Sequence, residues 1–183
     1  MSEQERIIDI CLKEDSKNPI EIIRTLMKEE FVPMHGPIHH VLDGASIMVA
    51  LKNSGLSFDL PTAFDELCMR ANSMPGAICG NWGVCGSSTS IGAALSIIHK
   101  SGPLSDDEYY KDHMHLTSRI LDRIANIGGP RCCKRNGFIA ITTAIDFIKE
   151  KYGIELDKPK EIVCGFSGNN PNCIGNKCPF NKG

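Results

Sequence analysis

Residues 130–153 read PRCCKRNGFIAITTAIDFIKEKYG, and the fold class depends on whether this stretch forms a helix or a strand. The run FIAITTAI (138–145) is rich in β-branched residues, which suit a buried strand. Its length and the flanking Pro130 and Gly153 favour a helix, because proline is common where helices begin and glycine where they end. We therefore predict one long helix over this stretch.

Apolar residues with helical spacing recur through the first 150 residues, and no convincing strand pattern precedes residue 160. Pro19 and Pro37 stand where a proline suits the first turn of a helix. We predict a mostly α protein, a compact bundle of about six or seven helices. Residues 1–160 form the α-helical domain, and residues 161–183, rich in Gly, Asn, Pro and Cys, form an irregular metal-binding tail packed on it.

The composition excludes several classes of protein. The chain has 183 residues, is 42% hydrophobic and carries a net charge of −2. A chain of this size buries its own core. Its small negative net charge gives no indication of a basic surface for nucleic acid or an anionic membrane. No apolar run approaches the roughly 20 residues of a membrane span, and the charged N-terminus does not resemble a signal peptide. We expect a cytoplasmic protein that binds neither nucleic acid nor membrane, and the sequence leaves a homodimer open.

Nine cysteines are the unusual feature of the sequence. In the cytoplasm, clustered cysteines more often bind metal or carry out chemistry than form stable disulfides. Cys11 and Cys68 occupy apolar positions in helical patterns, so we predict that both pack in the core. The other cysteines lie near Gly, Pro or Asn and are candidate metal ligands: Cys79, Cys85, Cys132, Cys133, Cys164, Cys173 and Cys178.

Three predicted helix starts carry reactive side chains, in the segments HGPIHH (35–40), CGSSTS (85–90) and GPRCC (129–133). A helix N-terminus presents unpaired N–H groups and a partial positive charge, which bind anions and favour thiolate. We expect these starts to converge on one pocket. Adjacent residues on a helix diverge by about 100°, so only one of Cys132 and Cys133 is expected to point into it.

The roles of these cysteines are left open by their spacing. Cys79 and Cys85 have five residues between them instead of the two of a zinc knuckle, so ligation, buried structural thiols and a thiol–disulfide switch are alternatives. Trp82, between them, is expected to cover the site or fill the adjoining core. The tail has a spacing typical of an iron–sulfur or zinc loop whose last cysteine precedes a proline, with a fourth ligand from elsewhere: Cys164, Cys173 and Cys178.

Several polar residues near these cysteines are candidates for catalysis or substrate binding. His35 and His39 are acid–base candidates, with capping, packing or metal ligation as their alternatives. Arg131 and Arg135 are four residues apart and would clamp a substrate carboxylate, or else form a solvated cationic edge. Ser88 would hydrogen-bond the same carboxylate or cap the following helix.

Two segments resemble the iron–sulfur L-serine dehydratases. GVCGSSTSIGAALSII (83–98) is similar to that family's GCQAEVGxAxAMAAA, and GGPRCCKRNGFIAITTAIDF (128–147) is similar to its GGxVQVPCIERNAxGAxxAxNA, in the same order. MHGPIHHVLDGA (34–45) is more faintly similar to SHTxGPMRAA, and the related cysteine desulfidases share this general architecture. At full length, the chain resembles an uncharacterised cysteine-rich domain family of archaea and anaerobic bacteria.

The dehydratase resemblance implies that Cys85 and Cys133 are two of three ligands to a [4Fe–4S] cluster. The fourth iron would be open and would act as a Lewis acid. The family's remaining ligand falls at Asp122 in this chain, so Cys79, Cys132 or the tail is left to supply it.

The leading hypothesis is therefore an oxygen-sensitive [4Fe–4S] protein. As an enzyme it would be a lyase that eliminates water or sulfide from a small carboxylate-bearing substrate, or it would handle sulfur with a redox or sulfur-transfer protein partner. The alternatives are a non-enzymatic interaction module stabilised by zinc or a cluster, and a thiol-based carrier of sulfur or metal. A structural zinc knuckle would fill all four coordination positions of the metal with protein ligands, whereas a catalyst needs polar groups beside an open coordination position.

Overall fold

The β-branched run that follows the paired cysteines is helical. The computed structural model describes residues 1–182, so Gly183, the last residue of the predicted tail, lies outside the described residues. Residues 1–182 contain eight α-helices and no strand, which confirms the predicted mostly α bundle. The helices are α1 (Glu3–Leu12), α2 (Pro19–Met27), α3 (His39–Asn53), α4 (Leu60–Asn72), α5 (Ile78–Asn81), α6 (Gly86–Ile98), α7 (Glu108–Ile127) and α8 (Cys133–Tyr152).

Helix α3 is the centre of the bundle. Every residue from His39 to Leu51 is buried, because α3 packs against α1, α2, α4, α6 and α8. A helix surrounded in this way has no polar stripe, which explains why its sequence lacks strong amphipathic character. Helix α6 packs closely on α7, since an ideal Cβ at Gly92 would lie 2.5 Å from Cγ2 of Thr117. No helix within residues 1–182 is long and apolar enough to cross a membrane.

The helix caps at the edge of the bundle differ from those at the starts of α6 and α8. Ser2 and Glu5 form a capping box at α1, and Asp59 and Asp107 cap α4 and α7 with their carboxylates. Helices α6 and α8 instead have Cys85 and Cys132 at the N-cap position. These two helix starts therefore present a thiol where oxygen side chains are usual.

The C-terminal segment is irregular and lies on α2 and α8. Its regular structure, as far as Lys182, is limited to two short 3-10 turns, Ser167–Asn169 and Gly175–Lys177. Phe166 is buried in the core, and the Phe180 ring packs edge-on against Phe138 with 5.4 Å between centroids. The described part of the predicted tail therefore packs on the helical bundle.

Candidate functional site

Three helices begin around one small cavity, which we call the inner cavity. Its volume is about 30 Å³, and its wall includes His39 at the start of α3, Cys85 before α6 and Cys133 at the start of α8. Cys79 of α5 completes this wall. The structure thus brings together Cys79, Cys85 and Cys133, which we call the three-cysteine site, beside helix N-termini that favour negative charge.

Cys85 is buried and Cys79 and Cys133 are half-buried, and the sulfurs of Cys85 and Cys133 accept hydrogen bonds from polar donors. The Nδ2–H of Asn136 on α8 donates to Cys85 Sγ at 3.3 Å. Burial raises the pKa of Cys85, and that bond opposes the rise. Burial also raises the pKa of Cys133 to about 11, opposed by a backbone hydrogen bond from Gly36. The free thiols of Cys85 and Cys133 are therefore neutral and weakly nucleophilic, whereas a bound metal would hold them as thiolates.

His39 presents an open ring nitrogen next to the three-cysteine site. The Pro33 carbonyl, which can only accept, lies 3.0 Å from Nε2 of His39, so Nε2 carries the proton. Among the described residues, no group hydrogen-bonds the buried Nδ1. Burial lowers the pKa of His39 to about 3, so the ring is neutral and Nδ1 keeps its lone pair.

Two further polar groups of α3 are buried without well-formed hydrogen bonds. Nδ1 of His40 has no hydrogen-bond partner within residues 1–182, and the carboxyl oxygens of Asp43 have none of good geometry, although Ser87 lies close enough to lower the pKa of Asp43. Asp43 lies one turn after His39, and an ideal Cβ at Gly137 would lie 2.7 Å from its Oδ1. Burial raises the pKa of Asp43 to about 7. Unpaired buried polar groups are costly, so these atoms are candidates for contact with a bound group.

Lys134 is a buried cation between the cysteines. The side chain is 1% exposed, its Nζ donates to the Met27 carbonyl at 2.9 Å, and it lies 4.9 Å from the centroid of the Phe166 ring. No ion pair found in the described part of the chain includes Lys134. Burial lowers its pKa to about 8, while Cys133, Cys132, Asp43 and Cys164 are the groups that stabilise its charge.

A larger cleft borders the three-cysteine site. Its volume is about 690 Å³, and Cys79, Cys85, Asn136 and Arg131 line both this cleft and the inner cavity. Asp122, where the dehydratase resemblance puts a ligand, also lines the cleft. Small molecules that enter the cleft would therefore meet two of the thiols directly.

The two predicted arginines have different surroundings. Arg131 is exposed and precedes α8, so the four-residue spacing does not place the two arginines on one face of that helix. Arg135 is 4% exposed, and its Nη2 donates to the carbonyls of Gly128 (2.8 Å) and Pro130 (3.1 Å). Its Nε donates to Oδ1 of Asn136 at 3.3 Å, which leaves the amide Nδ2 directed at Cys85.

Three other predicted residues lie away from the inner cavity. Ser88 is fully buried on α6, where its hydroxyl donates to the Thr117 carbonyl at 2.8 Å and ties α6 to α7. His35 precedes α3 outside the residues that line the inner cavity and the cleft, as far as the described chain shows. Trp82 is 68% exposed, so the expectation that it fills the adjoining core is wrong, and it is not among the described residues found to line the inner cavity or the cleft.

The other four candidate ligand cysteines surround a second cavity. Its volume is about 20 Å³, and its wall includes a set that we call the four-cysteine site: Cys132, Cys164, Cys173 and Cys178. Cys132 therefore faces the tail while its neighbour Cys133 faces the inner cavity. No three His, Cys, Asp or Glu side chains among residues 1–182 gather closely enough to hold a single metal ion as they stand.

Asn136 and Lys134 were not predicted from the sequence. Asn136 had a local signal, since it follows Cys133 by three residues and so lies on the same face of α8. Lys134 stands in a basic run, RCCKR, which is typical of a solvated surface, so no local pattern indicated that it is buried.

Comparisons with known proteins give one match. No curated protein and no solved structure matches the chain significantly, so the resemblance to serine dehydratases finds no support there. A model of a family of unknown function, DUF5714, matches residues 7–181. Because this match covers nearly the whole sequence, the chain belongs to the DUF5714 family.

Proposed function

We propose that the three-cysteine site holds a [4Fe–4S] cluster and that the chain is a lyase acting on a small carboxylate-bearing substrate. The observation that carries the proposal is the position of Cys79, Cys85 and Cys133 around one cavity that borders a cleft of about 690 Å³. Three thiolates leave one position of a cluster without a protein ligand, and the iron there would supply Lewis acidity toward a hydroxyl or thiol.

The surroundings of these thiols suit such a group. Soft thiolate ligands select iron–sulfur clusters over hard cations. The amide of Asn136 and the backbone of Gly36 hydrogen-bond the sulfurs, as donors around cluster thiolates do. Two helix N-termini and the buried Lys134 cation offset the negative charge that thiolates would bring.

Substrate binding would fall to residues at the border between cleft and inner cavity. Arg131 lines both, and its guanidinium is suited to a carboxylate through paired hydrogen bonds. Arg135 acts as a positioning residue, because its hydrogen bonds fix the loop before α8 and the amide of Asn136. Ser88 is committed to Thr117, so it is not part of the proposed substrate contact.

Proton transfer is proposed for His39. Of the two predicted histidines, His39 lines the inner cavity, and its Nδ1 lone pair is free while Nε2–H is held by Pro33. Burial holds the pKa of His39 at about 3 in the metal-free chain, and the negative charge of bound thiolates would raise it toward the range in which Nδ1 can accept the substrate proton. The raised pKa values of Cys85 and Cys133 disfavour the alternative of a thiol-based carrier, which needs a thiolate at neutral pH.

The test is anaerobic purification followed by iron, acid-labile sulfide and zinc analysis of wild type, Cys85→Ala and Cys133→Ala. We expect each variant to lose about four irons and four sulfides per chain. Cys68→Ala is the matched control, because Cys68 lies on α4 away from both cavities. Elimination of water or sulfide from a panel of small hydroxy and thiol acids should disappear in the same two variants. Zinc without acid-labile sulfide in the wild type would overturn the proposal.

A further inference from the structure

We infer that the four-cysteine site is a second, closed [4Fe–4S] centre that fastens the C-terminal segment to α8. This inference uses different residues from the proposed lyase site and goes beyond it. One ligand comes from the N-cap of α8, and the other three come from the irregular segment after residue 160: Cys132, Cys164, Cys173 and Cys178. Four thiolates match the number of ligands that such a cluster takes when no position is open.

Hydrogen-bond donors point at two of the four sulfurs in this site. The backbone N–H of Arg135 donates to Cys132 Sγ at 3.5 Å, as an N-cap acceptor of the 20-residue helix α8. The Asn170 amide donates to the same sulfur at 3.7 Å, and the Phe166 N–H donates to Cys164 Sγ at 3.4 Å. Donors aimed at sulfur stabilise thiolate and tune bound clusters, and they bring little to neutral thiols.

One side of the wall around these sulfurs is apolar and aromatic, while Ser167, Asn170 and Asn172 line another part of it. Phe138 and Phe166 are buried, Phe180 packs on Phe138, and Met34 closes another side. This apolar side shields the buried Cys178 from water, while Cys173 lies at the exposed rim of the site. A proline directly after Cys178 is also typical of cluster ligands. Four thiolates fill every ligand position of a cluster, which favours a structural role over catalysis.

Lys134 gives an independent argument from charge. A buried ammonium requires negative charge nearby, and Lys134 has no ion pair among the described residues. Lys134 lies between the two sites, because it directly follows Cys132 and Cys133 and its Nζ lies 4.9 Å from the centroid of the Phe166 ring, which lines the four-cysteine site. Thiolates held by a metal in each site would supply that charge. The single lysine would then serve both centres.

The experiment compares full-length chains purified without oxygen. Cys173→Ala is the main variant, because Cys173 is exposed and its loss removes little packing. Cys178→Ala is the second ligand variant, Cys68→Ala is the control thiol, and Cys85→Ala reports the three-cysteine site. Iron and acid-labile sulfide are measured in each chain, and hydrogen exchange of residues 161–182 is measured in parallel.

Wild type should contain about eight irons and eight sulfides per chain, and Cys173→Ala and Cys178→Ala about half of each. Exchange in residues 161–182 should rise at least tenfold in these two variants and stay unchanged in Cys85→Ala and Cys68→Ala. Retention of all iron with unchanged exchange in both ligand variants would overturn the inference. Stoichiometric zinc that disappears in Cys173→Ala would also overturn it, while failure of the proposed lyase site would appear only in Cys85→Ala.

Discussion

Replacing Lys134 by methionine should have opposite effects on the metal-free and the metal-loaded protein. The lysine is 1% exposed and has one hydrogen bond, to the Met27 carbonyl, with no ion pair within the described chain. Methionine has a similar length and no charge, so it fills the same space. The substitution therefore removes a buried cation while the packing around it is largely kept.

The size of the effect follows from the pKa. Burial lowers the pKa of Lys134 from 10.5 to about 8, so at pH 7 the lysine is protonated in both the folded and the unfolded chain. The folded chain then carries a cost of about 3 kcal/mol, which disappears as pH rises from about 8 to 10.5, where the unfolded chain binds more protons. Methionine removes this cost but leaves the Met27 carbonyl without its donor, at about 1–3 kcal/mol. We expect the metal-free variant to be about 1 kcal/mol more stable.

In the loaded protein the cation offsets thiolate charge, so its loss should weaken metal retention. We expect iron release to a chelator to be about tenfold faster, which corresponds to about 1.4 kcal/mol. The assays are urea unfolding of anaerobic, reduced, metal-free protein at pH 7 and chelation kinetics of loaded protein. Lys158→Met is the control, because Lys158 is exposed and pairs with Asp146 at the surface. Destabilisation of the metal-free variant by more than about 2 kcal/mol, or unchanged iron release, would refute the reasoning.

Three further predictions concern the surroundings of the sites. Gly86→Ala should destabilise the protein by about 1–3 kcal/mol in thermal unfolding, because an ideal Cβ there overlaps the buried His40 ring. Gly80→Ala, where a Cβ meets nothing within 4 Å, should stay within about 0.5 kcal/mol, and equal effects would contradict the close packing of α3 on α6. Arg131→Ala should raise KM for the carboxylate substrate with little change in kcat, and a loss confined to kcat would exclude a binding role. Burial lowers the pKa of His99 from 6.5 to about 4, and its Nδ1 lies 3.0 Å from Nε2 of His113. The unfolded chain therefore takes up the proton first as pH falls from 7 to 4, and stability should drop by roughly 2 kcal/mol over this range. His99→Gln should flatten this slope in urea titrations at several pH values, and an unchanged slope would assign the acid sensitivity to other groups.

The helices could be predicted from the sequence because their signals are local. Proline in the first turn of α2, carboxylate caps at α4 and α7, and glycine after α8 each act within a few residues. The β-branched run of α8 was ambiguous by propensity, and its length and flanking residues indicated a helix. Cysteines at the starts of α6 and α8 could also be read directly, since a helix start is a local feature of the chain.

Only the tertiary structure decided how the cysteines are divided. Cys132 and Cys133 are adjacent, and their side chains diverge around the helix, so one faces the tail and the other faces α5. Which segment covers each side depends on contacts between residues far apart in sequence, and these leave no local pattern. The same holds for Lys134, Arg135 and Ser88, whose polar groups are taken up by Met27, the loop before α8, and Thr117. The sequence specifies the chemistry of each side chain, but packing across the whole fold decides which group that side chain contacts.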